Sequence, residues 1–173
     1  MAEADDASAA TPDEDPLLAA FTRQFEQRFG AHLLAVLAYG SYLRGKRDTV
    51  LDFYVLLDDY RALPGLAGFA NRLLPPNVYF VTVGDGAARQ AAKYATLTLD
   101  DFERALDQDF HSYFWARFAQ PYVVLMARDE AIRARVAGLG RRAARRMLRA
   151  SLPLLPENFS AAELWTTAFG RSY

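Results

Sequence analysis

A loop of small residues lies between two apolar segments and is followed by a single carboxylate. Gly40-Ser41 ends the apolar segment 32–39, and Asp52 lies at the start of the next one. Glycine lets a backbone approach a phosphate closely. A serine hydroxyl and loop N–H groups can bond phosphate oxygens, and a carboxylate can hold Mg²⁺ beside them. The pattern, with Arg44 close by, indicates a site for a nucleoside triphosphate and Mg²⁺; the alternative is a strand–turn–strand connection with a solvated basic loop.

Four other side chains with possible chemistry also have plain structural interpretations. Lys93 precedes an apolar segment and could be an ordinary surface lysine. Tyr79 and Tyr94 are typical of core aromatic residues, although either could stack on a base. The sequence shows no residue that would act with His111 in general acid–base catalysis, so we expect this histidine on a helix surface or in the core.

The segment 129–150 has the pattern of a basic amphipathic helix. Its apolar residues recur at helical spacing and form one stripe: Ile132, Val136, Leu139, Ala143 and Met147. The side away from that stripe carries arginines: Arg135, Arg142, Arg145, Arg146 and Arg149. Near an anionic membrane each basic residue contributes about 1 kcal/mol of attraction. We predict contact with lipid headgroups by Arg142, Arg145, Arg146 and Arg149; the alternatives are contact with nucleotide phosphates and an ordinary solvated face.

The first half of the chain has the pattern of strands with flanking helices. We predict a disordered acidic lead over residues 1–10, then a helix that begins at Thr11-Pro12 and ends at Gly30. Apolar segments between turn residues predict four strands, at 32–39, 50–57, 77–83 and 92–99, and a helix across 60–76. Residues 11–99 are therefore expected to form an α+β core with a mixed sheet.

After a boundary near residue 99 the patterns indicate helices only. Asp100, with Glu103 as its capping-box partner, is predicted to begin a helix that buries one apolar face: Phe102, Leu106, Phe110 and Phe114. The basic helix follows, and Ser160 with Glu163 is predicted to begin the last helix. Residues 100–173 are therefore expected to form a helical domain.

Composition excludes several classes of protein. The 173 residues carry 20 Lys and Arg against 21 Asp and Glu, so no overall positive field favours nucleic acid. The chain has no cysteine and only two histidines, which excludes disulfides and disfavours a zinc site. Neither a signal peptide nor an apolar run of about 18 residues is visible. A lipid substrate would therefore have to be handled at the membrane surface.

The glycine loop and the strand after it resemble the signature of the polymerase-β-type nucleotidyltransferases. That signature is Gly-Ser, then often Arg-Gly, then a strand with Asp-x-Asp; Gly40-Ser41, Arg44-Gly45 and Asp52 match it, whereas Tyr54 replaces the second carboxylate. A two-metal centre needs several oxygen ligands around ions about 3.5–4 Å apart. Asp58 lies roughly 20 Å further along the strand and cannot share a metal with Asp52. Phosphates, waters, Asp48 or Glu157 would have to complete the shell.

Four further segments resemble one family of that superfamily, the mitochondrial phosphatidate cytidylyltransferases. The segments occur in the family's order: Leu51–Asp59; Asn77-Val78-Tyr79-Phe80; Lys93-Tyr94 with Thr98; and Leu154–Ser160 with Glu163-Leu164. With the glycine loop they span about residues 36–173. Members of the family normally continue beyond the equivalent of Tyr173, so the helical domain is expected to be truncated.

The resemblance implies a fold, a reaction and roles for residues. It implies a nucleotidyltransferase-like core, a winged-helix-like helical domain, and an active site between them. The reaction would be Mg²⁺-dependent transfer of a cytidylyl group from CTP to phosphatidic acid, giving CDP-diacylglycerol and pyrophosphate. Asp52 would be the catalytic metal ligand, and five residues would bind the nucleotide: Gly40, Ser41, Arg44, Lys93 and Tyr94. We expect a cytoplasmic enzyme that associates peripherally with a membrane.

Two other functions stay open. The chain could be a nucleotidyltransferase with a different nucleotide or acceptor. It could also be a non-enzymatic domain that kept the fold after losing metal ligands, an interpretation for which Tyr54 is the main support.

Overall fold

One mixed sheet organises the molecule. The structure is a computed structural model that describes residues 15–47, 49–63, 65, 76–108 and 113–170. Within this part of the chain, five strands lie in the order β3-β4-β2-β1-β5: β1 (Leu33–Tyr39), β2 (Leu51–Leu57), β3 (Asn77–Val83), β4 (Gln90–Thr98) and β5 (Tyr122–Ala127). Strands β2 and β4 are parallel, and the other neighbours are antiparallel. The predicted α+β class, with a mixed sheet flanked by helices, is confirmed.

The helices pack on both faces of the sheet. Those bounded within the described residues are α1 (Pro16–Phe29), α2 (Leu99–Gln108), α3 (Tyr113–Phe118), α4 (Glu130–Ser151) and α5 (Ala161–Gly170). Side chains alternate along each strand and so separate two apolar cores. On one face α1 covers residues such as Phe53 and Val55. On the other face α2, α3 and α4 cover residues such as Tyr54 and Leu56.

Helix α1 begins later than predicted. Thr11 and Pro12, the predicted start, lie outside the described residues, as does the predicted disordered lead. The described helix begins at Pro16, and the Asp15 carboxylate accepts the backbone N–H of Leu17 at 3.0 Å. Aspartate before proline is a favourable helix start because the carboxylate caps free N–H groups and proline lacks one. The predicted end at Gly30 is confirmed; its φ of 51° is one that glycine adopts readily.

The prediction of helices only after residue 99 is wrong for Tyr122–Ala127, which form β5. This strand pairs with β1, from Ala35 opposite Ala127 to Tyr39 opposite Tyr122. All six of its residues are half-buried, so the segment lacks the alternation that marks a one-sided strand. A strand from the second half of the chain therefore completes the sheet, and the boundary near residue 99 stays a prediction.

Two predicted helix boundaries also differ in the structure. Helix α2 is capped by Thr98, whose Oγ1 accepts the N–H of Asp101 at 3.1 Å; Asp100 was the predicted cap. Of the helix predicted across 60–76, Tyr60–Ala62 form a short 3₁₀ turn and most of the rest lies outside the described residues. Phe102 and Leu106 are buried as predicted. Phe110 lies outside the described residues, and Phe114 is described only in its backbone, as part of α3.

Helix α4 confirms the predicted apolar stripe, all five residues of which are buried. It also continues across two glycines. At Gly140 the hydroxyl of Tyr122 enters the helix: it accepts the Gly140 N–H at 3.1 Å and donates to the Val136 carbonyl at 2.7 Å. A Cβ at position 140 would lie 3.0 Å from the Tyr122 ring, so the glycine makes room for this tyrosine. The predicted capping box of α5, Ser160 with Glu163, is confirmed.

Candidate functional site

Asp52 lies at the end of the sheet where β1 finishes and β2 and β4 begin. In the strand register it stands between Tyr39 of β1 and Lys93 of β4. Its Oδ1 is 3.2 Å from the Lys93 Nζ, and the two side chains are 21% and 42% exposed. The parallel pairing of β2 with β4 thus brings together two of the residues that the sequence predicted separately.

Gly40 lies beside the other oxygen of the same carboxylate. Its φ is +94°, a conformation that residues with a Cβ rarely adopt. A Cβ built at this position would lie 2.9 Å from the Asp52 Oδ2. Glycine at position 40 therefore lets the chain turn out of β1 while it stays against the carboxylate.

The loop after Gly40 is ordered by its own hydrogen bonds. The carbonyl of Ser41 accepts the backbone N–H groups of Arg44 and Lys46, at 3.1 and 3.2 Å. The Ser41 hydroxyl donates to the Thr49 Oγ1 at 3.1 Å. Arg44 is exposed, so its guanidinium faces solvent beside the loop.

Asp15 anchors the far end of this loop to helix α1. Its buried carboxylate accepts the Tyr42 hydroxyl at 2.8 Å and an Arg47 N–H at 3.0 Å. Burial alone would raise the pKa of Asp15, but these bonds and those from the Leu17 and Leu18 N–H groups outweigh it, so the pKa lies below its ordinary value. The loop is therefore held by an ionised group.

A small cavity opens at Asp52. Its volume is about 190 Å³, and its lining residues are Tyr39, Asp52, Val78, Lys93, Tyr94, Ala95 and Arg117. Arg117 donates to the Tyr39 hydroxyl at 3.2 Å, so it brings a second positive charge to this wall. Neither Arg117 nor Tyr39 was predicted as a site residue. Arg117 carries no sequence signal, whereas Tyr39 immediately precedes the glycine loop.

The ring of Tyr94 packs in the core, although Tyr94 also lines the cavity. It is buried on the α1 face, 5.0 Å from the ring of Phe25 and 5.4 Å from that of Tyr79. Burial raises the pKa of Tyr94. The structure thus agrees with the core interpretation for this ring, and a role of Tyr94 in nucleotide binding stays a prediction.

Tyr54 occupies the position at which the superfamily signature has its second carboxylate. Its side chain is on the same face of β2 as Asp52, is fully buried, and packs 4.8 Å from Phe118 and 5.7 Å from Phe102 between ring centroids. The sheet face beside Asp52 is thus filled by an aromatic cluster. Asp58 lies at the opposite end of β2, where it pairs with His32 at 2.8 Å.

The donor set at Asp52 fits one nucleotide-borne Mg²⁺ and does not fit a two-metal centre. Among the described residues no group of three or more His, Asp or Glu converges as metal ligands. Mg²⁺ often uses one or two carboxylates with substrate phosphates and waters. Asp52 could supply that carboxylate. Glu157 is exposed in the turn before α5, and Asp48 and His111 lie outside the described residues.

The basic face of α4 divides into two parts. Arg135 is paired with Asp100 at 2.8 Å and with Glu103 at 3.1 Å, so its charge is neutralised by acids of α2. The other four arginines line a second cavity of about 430 Å³ together with one acid; its lining residues are Asp107, Arg142, Arg145, Arg146 and Arg149. All four predicted lipid-contact residues therefore meet at one place.

The comparisons with known proteins leave the family open. No model of a known protein family matches the chain, and no curated protein matches it either. In the part of the chain that the structure describes, no helix has the length and apolar character needed to span a bilayer.

Proposed function

We propose that the protein transfers a cytidylyl group from CTP to phosphatidic acid. One observation carries the proposal: a carboxylate and a lysine ammonium meet in one cavity at the end of the sheet, and a glycine loop lies beside the carboxylate. Asp52 pairs with Lys93 and leaves no room for a side chain at position 40, and the Ser41 hydroxyl lies in the adjoining loop. The choice of CTP and phosphatidic acid rests on the sequence resemblance, which also implies a nucleotidyltransferase-like core over residues 11–99 and a winged-helix-like domain over 100–173.

The reaction requires charge stabilisation more than covalent help from the protein. A phosphatidate oxygen attacks the α-phosphorus of CTP, a new P–O bond forms, and the bond to pyrophosphate breaks. Negative charge is spread over the phosphate oxygens in the transition state, so positioned positive groups accelerate the reaction. Lys93 and Arg117, which both line the cavity, supply such groups. Asp52 would hold Mg²⁺, which supplies further charge neutralisation when bound with the nucleotide.

The existing Lys93–Asp52 pair does not oppose this role. Ion pairs between partly exposed side chains contribute only about 0–1 kcal/mol, so separating this one costs little. Lys93 can then turn to a phosphate while Asp52 turns to the ion. A lysine ammonium suits a phosphate because it is a compact charge with three donors.

An apolar rim beside the cavity supports a lipid acceptor. Val78 lines the cavity, and Phe80, the strand partner of Lys93, is 72% exposed. Large apolar side chains at this exposure suit contact with acyl chains or a membrane interface. The arginines of α4 would add attraction to anionic headgroups, as expected for a cytoplasmic enzyme at a membrane surface.

The first test is thermal unfolding with CTP, ATP, GTP or UTP in the presence of Mg²⁺. We expect CTP to raise the melting temperature most, and Asp52→Asn to remove the Mg²⁺-dependent part of the shift. Asp58→Asn is the matched control because it removes the same charge from the other end of β2. Equal shifts with all four nucleotides would exclude the choice of CTP but leave a nucleotide site in place.

The second test is transfer from α-labelled CTP to phosphatidic acid in vesicles. We expect labelled CDP-diacylglycerol with the wild type and the Asp58→Asn control, and at least about a hundredfold less with Asp52→Asn, since removing a group that stabilises transition-state charge typically costs that much. Near-normal transfer by Asp52→Asn would show that the reaction centre lies elsewhere. Transfer to an acceptor other than phosphatidic acid would favour the alternative nucleotidyltransferase.

A non-catalytic domain is the second candidate, and specific contacts favour it. Tyr54 fills the place of a second carboxylate, and Lys93 neutralises Asp52. This candidate predicts nucleotide binding that does not depend on Mg²⁺, and no transfer to any acceptor. Titration of CTP with and without EDTA distinguishes the two functions.

A further inference from the structure

The arginine cavity, lined by Asp107, Arg142, Arg145, Arg146 and Arg149, is distinct from the cavity at Asp52. Its arginines lie at helical spacings of three, four and seven residues, so they share one face in the second half of α4. Asp107 belongs to the last turn of α2. Helices α2 and α4 both cover the sheet face on which the Asp52 and Tyr54 side chains lie.

One member of the arginine cavity is fixed by the protein itself. The Arg142 guanidinium is paired with the Asp107 carboxylate and also lies 3.6 Å from the Glu103 Oε1. The hydrogen bond to Asp107 raises the pKa of Arg142. Two helices therefore hold this guanidinium in one orientation, with part of it facing the cavity.

Two other charges in the cavity, those of Arg145 and Arg149, are not balanced by an acid among the described residues. Within the described residues, neither Arg145 nor Arg149 forms an ion pair, and both are exposed. Arg145 and Arg149 are four residues apart, and like charges at that spacing repel each other on a helix. A bound anion would relieve the repulsion between these neighbours.

We propose that the arginine cavity binds a phosphate group with two or more negative charges, such as a phosphomonoester or pyrophosphate. Guanidinium groups form paired N–H···O bonds with phosphate oxygens, and several guanidinium groups around one cavity match a group with several charged oxygens. A diffuse basic surface would attract any anionic lipid, whereas this site distinguishes a phosphomonoester from a phosphodiester. The proposal does not need CTP, Mg²⁺ or Asp52, and so goes beyond the proposed function.

The binding test is calorimetric titration of the full chain with inorganic pyrophosphate, without Mg²⁺ or nucleotide. We expect Arg145→Glu with Arg149→Glu to weaken binding at least about tenfold, because two phosphate contacts become repulsive. Arg145→Gln with Arg149→Gln, which removes charge without reversing it, should weaken binding by a smaller factor. The matched control reverses two exposed arginines of the same helix outside the cavity, Arg133→Glu with Arg141→Glu, and should leave binding within about twofold.

Further titrations separate this site from the Asp52 cavity and identify the source of the phosphate. Asp52→Asn and Lys93→Met should both retain pyrophosphate binding, whatever the outcome of the transfer assay. A lipid source predicts tighter binding to vesicles with phosphatidic acid, a phosphomonoester, than to vesicles of equal charge with phosphatidylglycerol, a phosphodiester. A soluble source predicts pyrophosphate binding with no preference between the vesicles.

Three outcomes would overturn the proposal. The first is equal weakening in the cavity and control variants, because net charge alone would then explain binding. The second is loss of pyrophosphate binding in Lys93→Met with retention in the arginine variants, which would assign the anion to the Asp52 cavity. The third is failure of the wild type to bind either pyrophosphate or vesicles that contain phosphatidic acid.

Discussion

Replacing Gly40 by alanine tests whether the Gly40–Asp52 contact holds the carboxylate in its place. The added Cβ would lie 2.9 Å from the Asp52 Oδ2, and ordinary contact begins at 3.4 Å. The carboxylate must therefore retreat by about half an ångström, away from its present position against Lys93. The same substitution also places alanine at a φ of +94°.

The loss of folding stability expected for Gly40→Ala has two contributions, and Gly45→Ala measures one of them alone. Gly45 has a φ of +86°, and no atom lies within 4 Å of a Cβ built there. Gly45→Ala should thus cost only backbone strain, about 1–2 kcal/mol. Gly40→Ala should cost about 2–3 kcal/mol, because displacement of Asp52 and the loss of up to about 1 kcal/mol from its ion pair are added. For a chain of this size each kcal/mol lowers the melting temperature by about 2–4 °C.

Urea unfolding measures the stability difference, and titration of CTP with Mg²⁺ measures the functional one. We expect Gly40→Ala to weaken nucleotide binding at least about tenfold, since small displacements of a positioned group are costly, and Gly45→Ala to have much less effect. In an Asp52→Ala background the stability cost of Gly40→Ala should fall to that of Gly45→Ala. Equal costs of the two alanine substitutions, with or without Asp52, would refute the role of this contact.

Three further changes test the packing around the site. Asp15→Asn should destabilise the protein by about 1–2 kcal/mol at pH 7. Because the folded-state pKa of Asp15 is lowered, the wild type loses this advantage as the pH falls below about 4. The urea midpoints of the wild type and the variant should therefore converge at low pH. Tyr122→Phe should cost about 1–3 kcal/mol and speed hydrogen exchange at the Gly140 amide, because the bridging hydroxyl is lost; unchanged exchange would contradict the bridge. Phe102→Ala should cost about 3–5 kcal/mol and the exposed Phe80→Ala less than about 0.5 kcal/mol, as measured by urea unfolding; similar costs would show that Phe80 is covered.

Local patterns in the sequence predict the first three strands closely. The runs that form β1, β2 and β3 are apolar or alternating and are bounded by Gly, Pro or Asp, so their ends are marked by turn chemistry. Strand β5 is also a short apolar run that follows a proline, Pro121, but such a run cannot be told from part of a buried helix by its pattern alone. Its assignment depends on its partner, which lies in a distant part of the chain.

The sequence indicates several residues of the candidate site but not how they are arranged in space. Gly40 and Asp52 are joined by a short loop, so their proximity follows from the β1–β2 connection. Lys93 meets Asp52 only because β4 pairs in parallel with β2, while β3 intervenes in the sequence. Arg117 reaches the cavity from α3, a placement that no local pattern indicates.

The pairing of β1 with β5 has a consequence for the order in which the chain can fold during synthesis. The paired residues are about eighty to ninety positions apart, and such distant contacts form slowly. Until Ala127 has left the ribosome, β1 is an edge strand whose outer N–H and C=O groups are unpaired. Its own sequence, Leu33–Tyr39, is almost wholly apolar. Exposed edges of this kind invite pairing with other chains. The nascent chain is therefore expected to be most prone to aggregation, and most dependent on chaperones, before β5 emerges.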